Sequence, residues 1–362
     1  MKRRTFLKSA GALAGTTAVA APAIAQSLPT IKWRATSSFP KSLDITYGAA
    51  EQFCRHVGEL TEGKFTIQQF AAGEIVPGLQ ALDAVSTATV EMAQTPLYFY
   101  IGKEPALTYA TGAPFGMNHR HQHSWWTFGG GAELCNEALK PFKAHAILCG
   151  NSGTQMGGWF RKEIKTVDDL KGLKFRIAGL GGHVLARLGI VPQQIAGGDV
   201  YSALEKGSLD AAEFVGPYDD EKLGFYKVAK YYYYPGWWEG GAMLHMIVNE
   251  EKWSALPKQY QAVLSQAGAA AGAWMIEKYD SVNPAALKRL IAGGAELRAF
   301  PQPVLEACYQ ATQEHLSEIA GKSELFKKTR ESHDAYMKEV LFYTQIGENY
   351  YDNYLLGKMR KG

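Results

Sequence analysis

Hydrophobic and polar positions in the first 150 residues follow two alternating patterns, runs of β-forming residues and helical runs with an apolar stripe. Ser42 and Gly63 have the residue types expected where a helix begins and ends. The predicted elements are a strand at 31–39, a helix at 42–60, a strand at 64–70, a helix at 78–89, a strand at 90–95, a helix at 131–143 and a strand at 144–150. This alternation predicts a mostly parallel sheet covered by helices.

A second alternating series begins after Gly150 and predicts a second α/β lobe. Its elements are an extended segment at 157–164, a short helix at 167–172, a strand at 173–179, helices at 182–188 and 201–206, and strands at 210–215 and 229–234. Beyond Trp253 helical periodicity dominates, with a strand at 296–300 between helices at 258–290 and 303–317. Pro284 is expected to interrupt or bend the first of these helices, which is long enough to bridge two lobes.

The N-terminus has the features of an export signal. Arg3 and Arg4 precede an Ala/Gly-rich run that ends in Ala23-Ile24-Ala25, a small-residue cleavage site. Residues 1–25 are therefore interpreted as a twin-arginine signal peptide, and the mature protein is expected in the periplasm. Without them the formal net charge changes from +3 to −1. A near-neutral chain has no global field to hold nucleic acid or an anionic membrane.

Cysteines and histidines offer two further kinds of site. The four cysteines lack C-x-x-C spacing, which favours reduced, buried side chains over a zinc or redox motif. A disulfide between Cys135 and Cys149 is the alternative. His119, His121 and His123 would share one face of a strand and could then bind a transition metal, although a solvated loop is the more ordinary explanation.

Motifs of catalysis are absent from the sequence, which has no G-x-S-x-G, no H-E-x-x-H and no P-loop. The segment GLGGHV at 179–184 follows a predicted strand, but Val184 stands where a dinucleotide loop has its third glycine. A plain strand-to-helix turn explains this segment better. The absence of these motifs counts modestly against catalysis.

Polar side chains interrupt four otherwise apolar strands or turns, at Gln155, Arg176, Glu213 and Glu239. A guanidinium within a strand needs an acidic partner or exposure to solvent, and it is suited to hold a carboxylate by two parallel hydrogen bonds. Two buried glutamates near one arginine would leave a negative charge for a cation to neutralise. Oxygen ligands favour a hard ion such as sodium or calcium.

The sequence around these residues resembles the periplasmic solute-binding subunits of tripartite ATP-independent periplasmic (TRAP) transporters. The resemblance spans the mature chain and is carried by DLKGLKFRIAG, YSALEKGSLDAAEF and the twin-arginine leader. Within that family, the chain is similar to the branch that binds 2-oxo acids such as pyruvate, or lactate, through a metal ion. The segments that indicate this branch are SSFPKSLD, VPGLQALDAV, GGWFRKEI, VPQQIAGGD, GPYDDEKLGF and YYYYPGWWEGG.

The resemblance implies a two-lobe α/β fold of the periplasmic binding protein type, with a hinge and a long C-terminal helix that bridges the lobes. Lobe I is expected at 26–150 and is completed by part of 240–300, and lobe II is expected at 151–239. A mainly helical region at 253–362 would bridge the lobes. Because relatives pair through their apolar C-terminal segment, that region is also expected to form a homodimer.

The resemblance also implies a role in the binding site for individual residues. Arg176 would clamp the ligand carboxylate, and Asn151 and Tyr100 would hydrogen-bond the ligand. The expected cation ligands are Gln155, Glu213, the backbone carbonyl of Phe214 and Glu239. We favour sodium, from the set of two glutamates and one glutamine, with calcium as the alternative. Phe214 stands where the sialic-acid branch has an asparagine, so a sugar acid is not expected.

The aromatic run YYYYPGWWEGG is expected to wall a small, dry pocket around Glu239, while Tyr231 and Tyr233 are assigned to the core. The function implied is an extracytoplasmic receptor that delivers a small 2-oxo monocarboxylate to the membrane permease of its transporter. Lactate or another 2-hydroxy acid is the alternative ligand. An exported metal-dependent enzyme, with Glu213 or Glu239 as a base, is the alternative of another class.

Overall fold

The computed structural model describes residues 28–360, so the predicted export signal lies outside the described residues. The strands within this range are β1 (Ile31–Ser37), β2 (Phe65–Gln69), β3 (Met92–Thr95), β4 (Ala144–Asn151), β5 (Gly158–Phe160), β6 (Lys174–Arg176), β7 (Val191–Gln193), β8 (Ala211–Ala212), β9 (Tyr231–Tyr234), β10 (Met243–Asn249) and β11 (Glu296–Ala299). The α-helices are α1 (Thr46–Leu60), α2 (Ala81–Ser86), α3 (His119–Phe128), α4 (Gly131–Leu139), α5 (Gly179–Arg187), α6 (Val200–Glu205), α7 (Pro217–Leu223), α8 (Glu250–Ser254), α9 (Lys258–Ala292), α10 (Gln302–Ala320), α11 (Glu324–Ile346) and α12 (Glu348–Met359).

The first sheet, which we call lobe I together with its helices, has the strand order β2-β1-β3-β10-β4. Strands β1, β2 and β3 are parallel, whereas β10 is antiparallel to both of its neighbours. The sequence MLHMIVN of β10 is buried at every position, as expected for a strand covered on both faces. The sequence analysis names no strand at 243–249, so β10 is an element that it missed.

The second sheet, lobe II with its helices, has the order β11-β9-β5-β8-β6-β7. Strand β5 is antiparallel to both neighbours, and the other pairs are parallel. The prediction of mostly parallel sheets is therefore confirmed, with one antiparallel strand in each. Gly158 opens β5 at a φ of 82°, and an added Cβ would lie 2.6 Å from the carbonyl oxygen of Ala212. Only glycine therefore lets β5 approach β8 this closely.

Helix α9 bridges the lobes. Its N-terminal half buries Tyr260 and Leu264 in the core beneath the first sheet, and its C-terminal half buries Tyr279 and Leu290 in a core shared with lobe II. It runs without a break through Pro284 for 35 residues, so the expected interruption does not occur. Within residues 28–360 no helix is both long and apolar enough to cross a membrane.

The chain passes between the sheets three times, through the segments 152–157 and 235–242 and through α9. The first two segments lie side by side: the N–H of Gln155 donates to the carbonyl of Glu239 at 3.2 Å, and the N–H of Gly236 donates to the carbonyl of Gln155 at 2.9 Å. An added Cβ at Gly236 would lie 2.7 Å from a backbone oxygen of Met156. Glycine is therefore required where the two crossing segments touch.

Two expectations are corrected by the fold. His119, His121 and His123 lie in α3, whose first turn is capped by the Asn118 side chain, and not in a strand or loop. In a helix, residues four apart lie on the same face, whereas a residue two positions away points to another side. His121 therefore does not share a face with His119 and His123. No group of three or more His, Cys, Asp or Glu suited to a metal occurs within residues 28–360. All four cysteines are free, so the Cys135–Cys149 disulfide is wrong and the reduced alternative is confirmed.

Candidate ligand and cation site

A cavity lies between the lobes, with about 360 Å³ of space free of protein atoms, part of which opens to solvent. Both lobes and the crossing segments contribute to its wall. The lining residues are Phe39, Thr46, Pro96, Tyr98, Phe99, Ser152, Gln155, Arg176, Phe214, Val215, Ala242, Leu244 and Met275. Most of these side chains are apolar, and Arg176 is the one charged residue among them.

Arg176 is the charged residue in the wall of this cavity, and Glu213 is its buried partner. Neighbouring strands β6 and β8 place them together, because the N–H of Glu213 donates to the carbonyl of Arg176 at 3.1 Å. Nη1 of Arg176 donates to Oε1 of Glu213 at 2.7 Å and to its carbonyl at 2.6 Å, while Nε donates to the carbonyl of Ile195 at 3.1 Å. Both side chains are buried. Arg176 therefore has the acidic partner that a guanidinium in a strand requires.

Glu239 lies beside this pair, on the second crossing segment, and is 1% exposed. Burial raises its pKa well above the usual range, and the nearby carboxylate of Glu213 raises this pKa further. Arg176, the Tyr98 hydroxyl and the Gln155 amide oppose that rise. Burial also raises the pKa of Glu213, against the effect of the Arg176 guanidinium and the Ala178 N–H, which donates to Oε1 at 3.1 Å. Two carboxylates thus share one arginine in a region shielded from water.

Several oxygens of this cluster lack hydrogen-bond partners. Within residues 28–360, no donor of normal geometry reaches Oε1 of Gln155, Oε2 of Glu213 or either carboxylate oxygen of Glu239. Buried polar atoms are normally satisfied, so a group of unpartnered oxygens indicates a missing ligand. Oxygen donors with a net negative charge fit a hard cation, and the residues present therefore suit such an ion.

Two predicted ligand contacts are placed elsewhere by the structure. The Tyr100 hydroxyl lies 2.9 Å from Oγ1 of Thr95 and accepts the N–H of Leu82, while Tyr98 lines the cavity instead. Nδ2 of Asn151 donates to Gln122 at 3.0 Å, and its Oδ1 accepts the N–H of Gly153 at 2.9 Å. Asn151 thus shapes the start of the first crossing segment and does not line the cavity.

The sequence carries a signal for Tyr98, although it does not separate this residue from Tyr100. Both follow β3 in the segment LYFY, at the carboxyl end of a parallel strand, where ligands of α/β folds bind. The local turn is a 3₁₀-helix, and its phase decides which ring faces the cavity. That phase depends on packing between the lobes.

The aromatic run around Glu239 does not wall the cavity as predicted. Tyr232 and Tyr233 are fully buried in the core of lobe II, where the Tyr232 hydroxyl donates to Asp220 at 2.7 Å. Trp237 and Trp238 pack with Tyr233 and Phe300 in one buried cluster. The four rings that do line the cavity come from three other segments and belong to Phe39, Tyr98, Phe99 and Phe214. The assignment of Tyr233 to the core is confirmed, whereas Tyr231 is only partly buried.

Two α/β lobes, two crossing segments, a bridging helix and a charged cavity between the lobes define a solute receptor of the two-lobe type. Residues 36–323 match the family model described as bacterial extracellular solute-binding protein, family 7 (DctP). The chain belongs to this family and is a periplasmic solute receptor of a TRAP transporter. The family is one of solute-binding receptors.

Relatives and solved structures agree with this assignment. The chain is 45% identical to a monocarboxylate 2-oxoacid-binding periplasmic protein of Nostoc sp., over 98% of this chain and 99% of that one. A TRAP solute-binding protein of Bordetella bronchiseptica is 48% identical, with a TM-score of 0.91 over 92% of this chain and 99% of that one. That protein is a mixed-occupancy dimer with copurified calcium and picolinate.

A further TRAP solute-binding protein, from Pseudoalteromonas atlantica, holds sodium and pyruvate. It is 36% identical, with a TM-score of 0.87 over 90% of this chain and 99% of that one. The predicted family and two-lobe fold are therefore confirmed. Each of these two related structures holds one hard cation and one small carboxylate.

Proposed function

We propose that this receptor binds a small 2-oxo monocarboxylate, such as pyruvate, through one hard cation and the Arg176 guanidinium. The cluster of buried, unpartnered oxygens beside Arg176 is the observation that carries the proposal. Gln155, Glu213, Glu239 and the backbone carbonyl of Phe214 would hold the cation. The cation supplies positive charge to which a carboxylate and the neighbouring oxo oxygen of the ligand can both bind.

Arg176 would meet the ligand through its remaining nitrogen. Nη1 and Nε donate to groups of the protein, whereas Nη2 has no protein partner within residues 28–360. A charge-assisted hydrogen bond from Nη2 to a carboxylate is strong in a site shielded from water. Tyr98 lines the same cavity and replaces Tyr100 as the proposed hydroxyl contact. We no longer assign ligand contact to Asn151.

Charge balance bears on the identity of the cation. With both glutamates ionised, Glu213, Glu239 and Arg176 together carry one negative charge, which sodium would neutralise before the ligand arrives. Calcium would leave one positive charge, which the ligand carboxylate would cancel. Sodium remains our first candidate, with calcium second, and relatives that hold each ion support both.

Calorimetric titration of the mature protein tests this function. Pyruvate and lactate are titrated after chelation of divalent ions, first without added cation, then with sodium and then with calcium. We expect pyruvate to bind only when a cation is present, and to bind more tightly than lactate. Binding of equal strength in cation-free buffer would contradict the cation site, and no binding under any condition would contradict the ligand class.

We infer that binding is coupled to closure of the lobes about the two crossing segments and α9, and that the closed receptor delivers its ligand to the membrane permease. Ligand and cation contact groups of both lobes only when the cavity is closed, so they shift the population toward the closed form. Export by the twin-arginine route belongs to the same proposal. Replacement of Arg3 and Arg4 by lysines should then leave the precursor in the cytoplasm.

The C-terminal segment is proposed to pair two copies of the chain. Helix α12 buries none of its residues, and the large apolar side chains exposed on α11 and α12 are Leu341, Phe342, Tyr343, Ile346, Tyr350, Tyr351, Tyr354, Leu355, Leu356 and Met359. An apolar patch of this extent marks an interface. Light scattering should give the mass of a dimer for residues 26–362 and of a monomer for residues 26–340. A monomeric mass for the longer chain would contradict the proposal.

A further inference from the structure

The wall of the ligand cavity has a charged part and an apolar part, which come from different lobes. Arg176, paired with Glu213, supplies the charge from lobe II. The apolar part includes Leu244 of β10 in lobe I and Met275 of the bridging helix α9, which are 4% and 1% exposed. In the proposed binding mode, a carboxylate held at Arg176 extends its carbon chain against Leu244 and Met275.

The apolar wall is closely packed against strand β4. Leu244 and Met275 belong to one buried cluster, and Gly150 of β4, which does not line the cavity, packs against both. A Cβ added at Gly150 would lie 2.4 Å from Sδ of Met275 and 3.5 Å from Cβ of Leu244. Protein interiors packed this closely resist displacement. A longer ligand chain therefore cannot be accommodated by retreat of the wall.

We propose that Met275 and Leu244 determine the chain length of the bound acid, and that Gly150 fixes their position from behind. This inference rests on the proposed function, because it takes the ligand to be a 2-oxo monocarboxylate held at Arg176. It assigns selectivity for short acids to a wall contributed by β10 and α9. Gly150 is a positioning residue, since it touches the wall and does not line the cavity.

Substitution of Met275 tests the proposal. The affinities of pyruvate and 2-oxopentanoate are measured by calorimetry for the unaltered protein and for Met275→Ala. Because one methylene in an apolar pocket changes affinity by about tenfold or more, the ratio of the two affinities should shift by at least about tenfold toward the longer acid. Met246→Ala is the matched control, since Met246 is equally buried in the core of lobe I but does not line the cavity. Both variants should melt at lower temperature, and only Met275→Ala should change the ratio.

Two further variants keep the test valid if Met275→Ala fails to fold. Leu244→Ala should shift the ratio in the same direction, whereas Gly150→Ala should push Met275 into the cavity and weaken 2-oxopentanoate more than pyruvate. An unchanged ratio in the folded Met275→Ala and Leu244→Ala variants, with normal binding by the unaltered protein, would overturn this inference alone. Failure of the unaltered protein to bind any 2-oxo acid would overturn the proposed function as well.

Discussion

The hydroxyl of Tyr279 lies 2.5 Å from Oδ2 of Asp219, and this contact joins the bridging helix α9 to α7 of lobe II. Oγ1 of Thr46, at the start of α1 in lobe I, lies 2.7 Å from the same hydroxyl and 3.1 Å from the same carboxylate oxygen. All three side chains are buried, and Thr46 also lines the ligand cavity. Three polar groups from the two lobes and the bridging helix therefore meet next to the cavity. Under the proposed closure of the lobes, these contacts would form in the closed receptor.

The hydroxyl of Tyr279 is predicted to stabilise the closed form. Tyr279→Phe leaves a buried carboxylate with one hydrogen bond fewer, so ligand binding should weaken by about 1–2 kcal/mol, roughly tenfold. Tyr260→Phe is the matched control, because its hydroxyl donates to the carbonyl of Pro29 within lobe I. Calorimetry on both variants checks the prediction. Equal losses of affinity in the two variants would contradict a role in closure.

Arg176→Ala is predicted to abolish binding. The substitution leaves the buried carboxylate of Glu213 without its cationic partner and removes the proposed ligand contact, a loss of about 3–5 kcal/mol. Arg176→Lys should bind weakly, since an ammonium cannot reproduce the three directed hydrogen bonds of the guanidinium. Arg187→Ala is the control, because Arg187 pairs with Glu314 and Glu318 at the surface. Undiminished affinity in Arg176→Ala, measured by calorimetry, would refute the assignment.

Glu239→Gln is predicted to weaken the binding of the cation. It removes one negative charge from the proposed site while keeping its shape, so cation affinity should fall by at least about a hundredfold, or ~3 kcal/mol. In chelator the variant should melt at a higher temperature than the unaltered protein, because an unpaired buried carboxylate is costly. Glu221→Gln, which alters an ion pair with Arg289, serves as the control. Cation titration followed by thermal unfolding checks both outcomes.

The buried imidazole of His245 is predicted to make the protein sensitive to acid. Burial lowers its pKa to about 3, and neither ring nitrogen has a partner within residues 28–360. The unfolded chain binds a proton near pH 6.5, so it holds more protons than the fold between about pH 3 and 6.5. The contribution of His245 to the free energy of unfolding is therefore fully present above pH 6.5. It is lost as the pH falls through this window, by about 2 kcal/mol at pH 5.

His245→Phe isolates that contribution. A phenyl ring keeps the packing against Trp126, whose ring centroid lies 4.6 Å away, and no hydrogen bond is lost. The free energy of unfolding of the variant should therefore depend less on pH between 4 and 6.5, with little change at pH 8. Denaturant unfolding across this range measures the difference. Parallel curves for the two proteins would show that acid acts through other groups, such as His123.

Much of the fold follows from local patterns. The alternating strands and helices of both lobes and the long helix that begins at Lys258 were predictable, because their apolar periodicity needs no distant partner. Strand β10 was missed, because it pairs with β3 and β4, residues from more than 90 positions earlier. Its short apolar run is compatible with several structures until those partners are known.

The candidate site divides in the same way. Arg176, Glu213 and Glu239 stand out in the sequence because a charge in an apolar segment requires a partner, wherever that partner comes from. Three features depend on how distant parts of the chain pack: the choice of Tyr98 over Tyr100, the structural role of Asn151, and the burial of four rings of YYYYPGWW away from the cavity. Local sequence does not encode which face of a turn meets a distant segment.

The sequence by itself determined most of the alternating elements and the polar residues that had to be satisfied, since these follow from short-range pattern or from the cost of burying charge, and its motifs showed the resemblance to the family. Tertiary structure alone decided that Thr46, Asp219 and Tyr279 meet between the lobes, and that Gly150 lies behind Leu244 and Met275. These groups are brought together by two crossing segments and one bridging helix. Their contacts are set by close packing of distant parts of the chain, which is a property of the assembled fold.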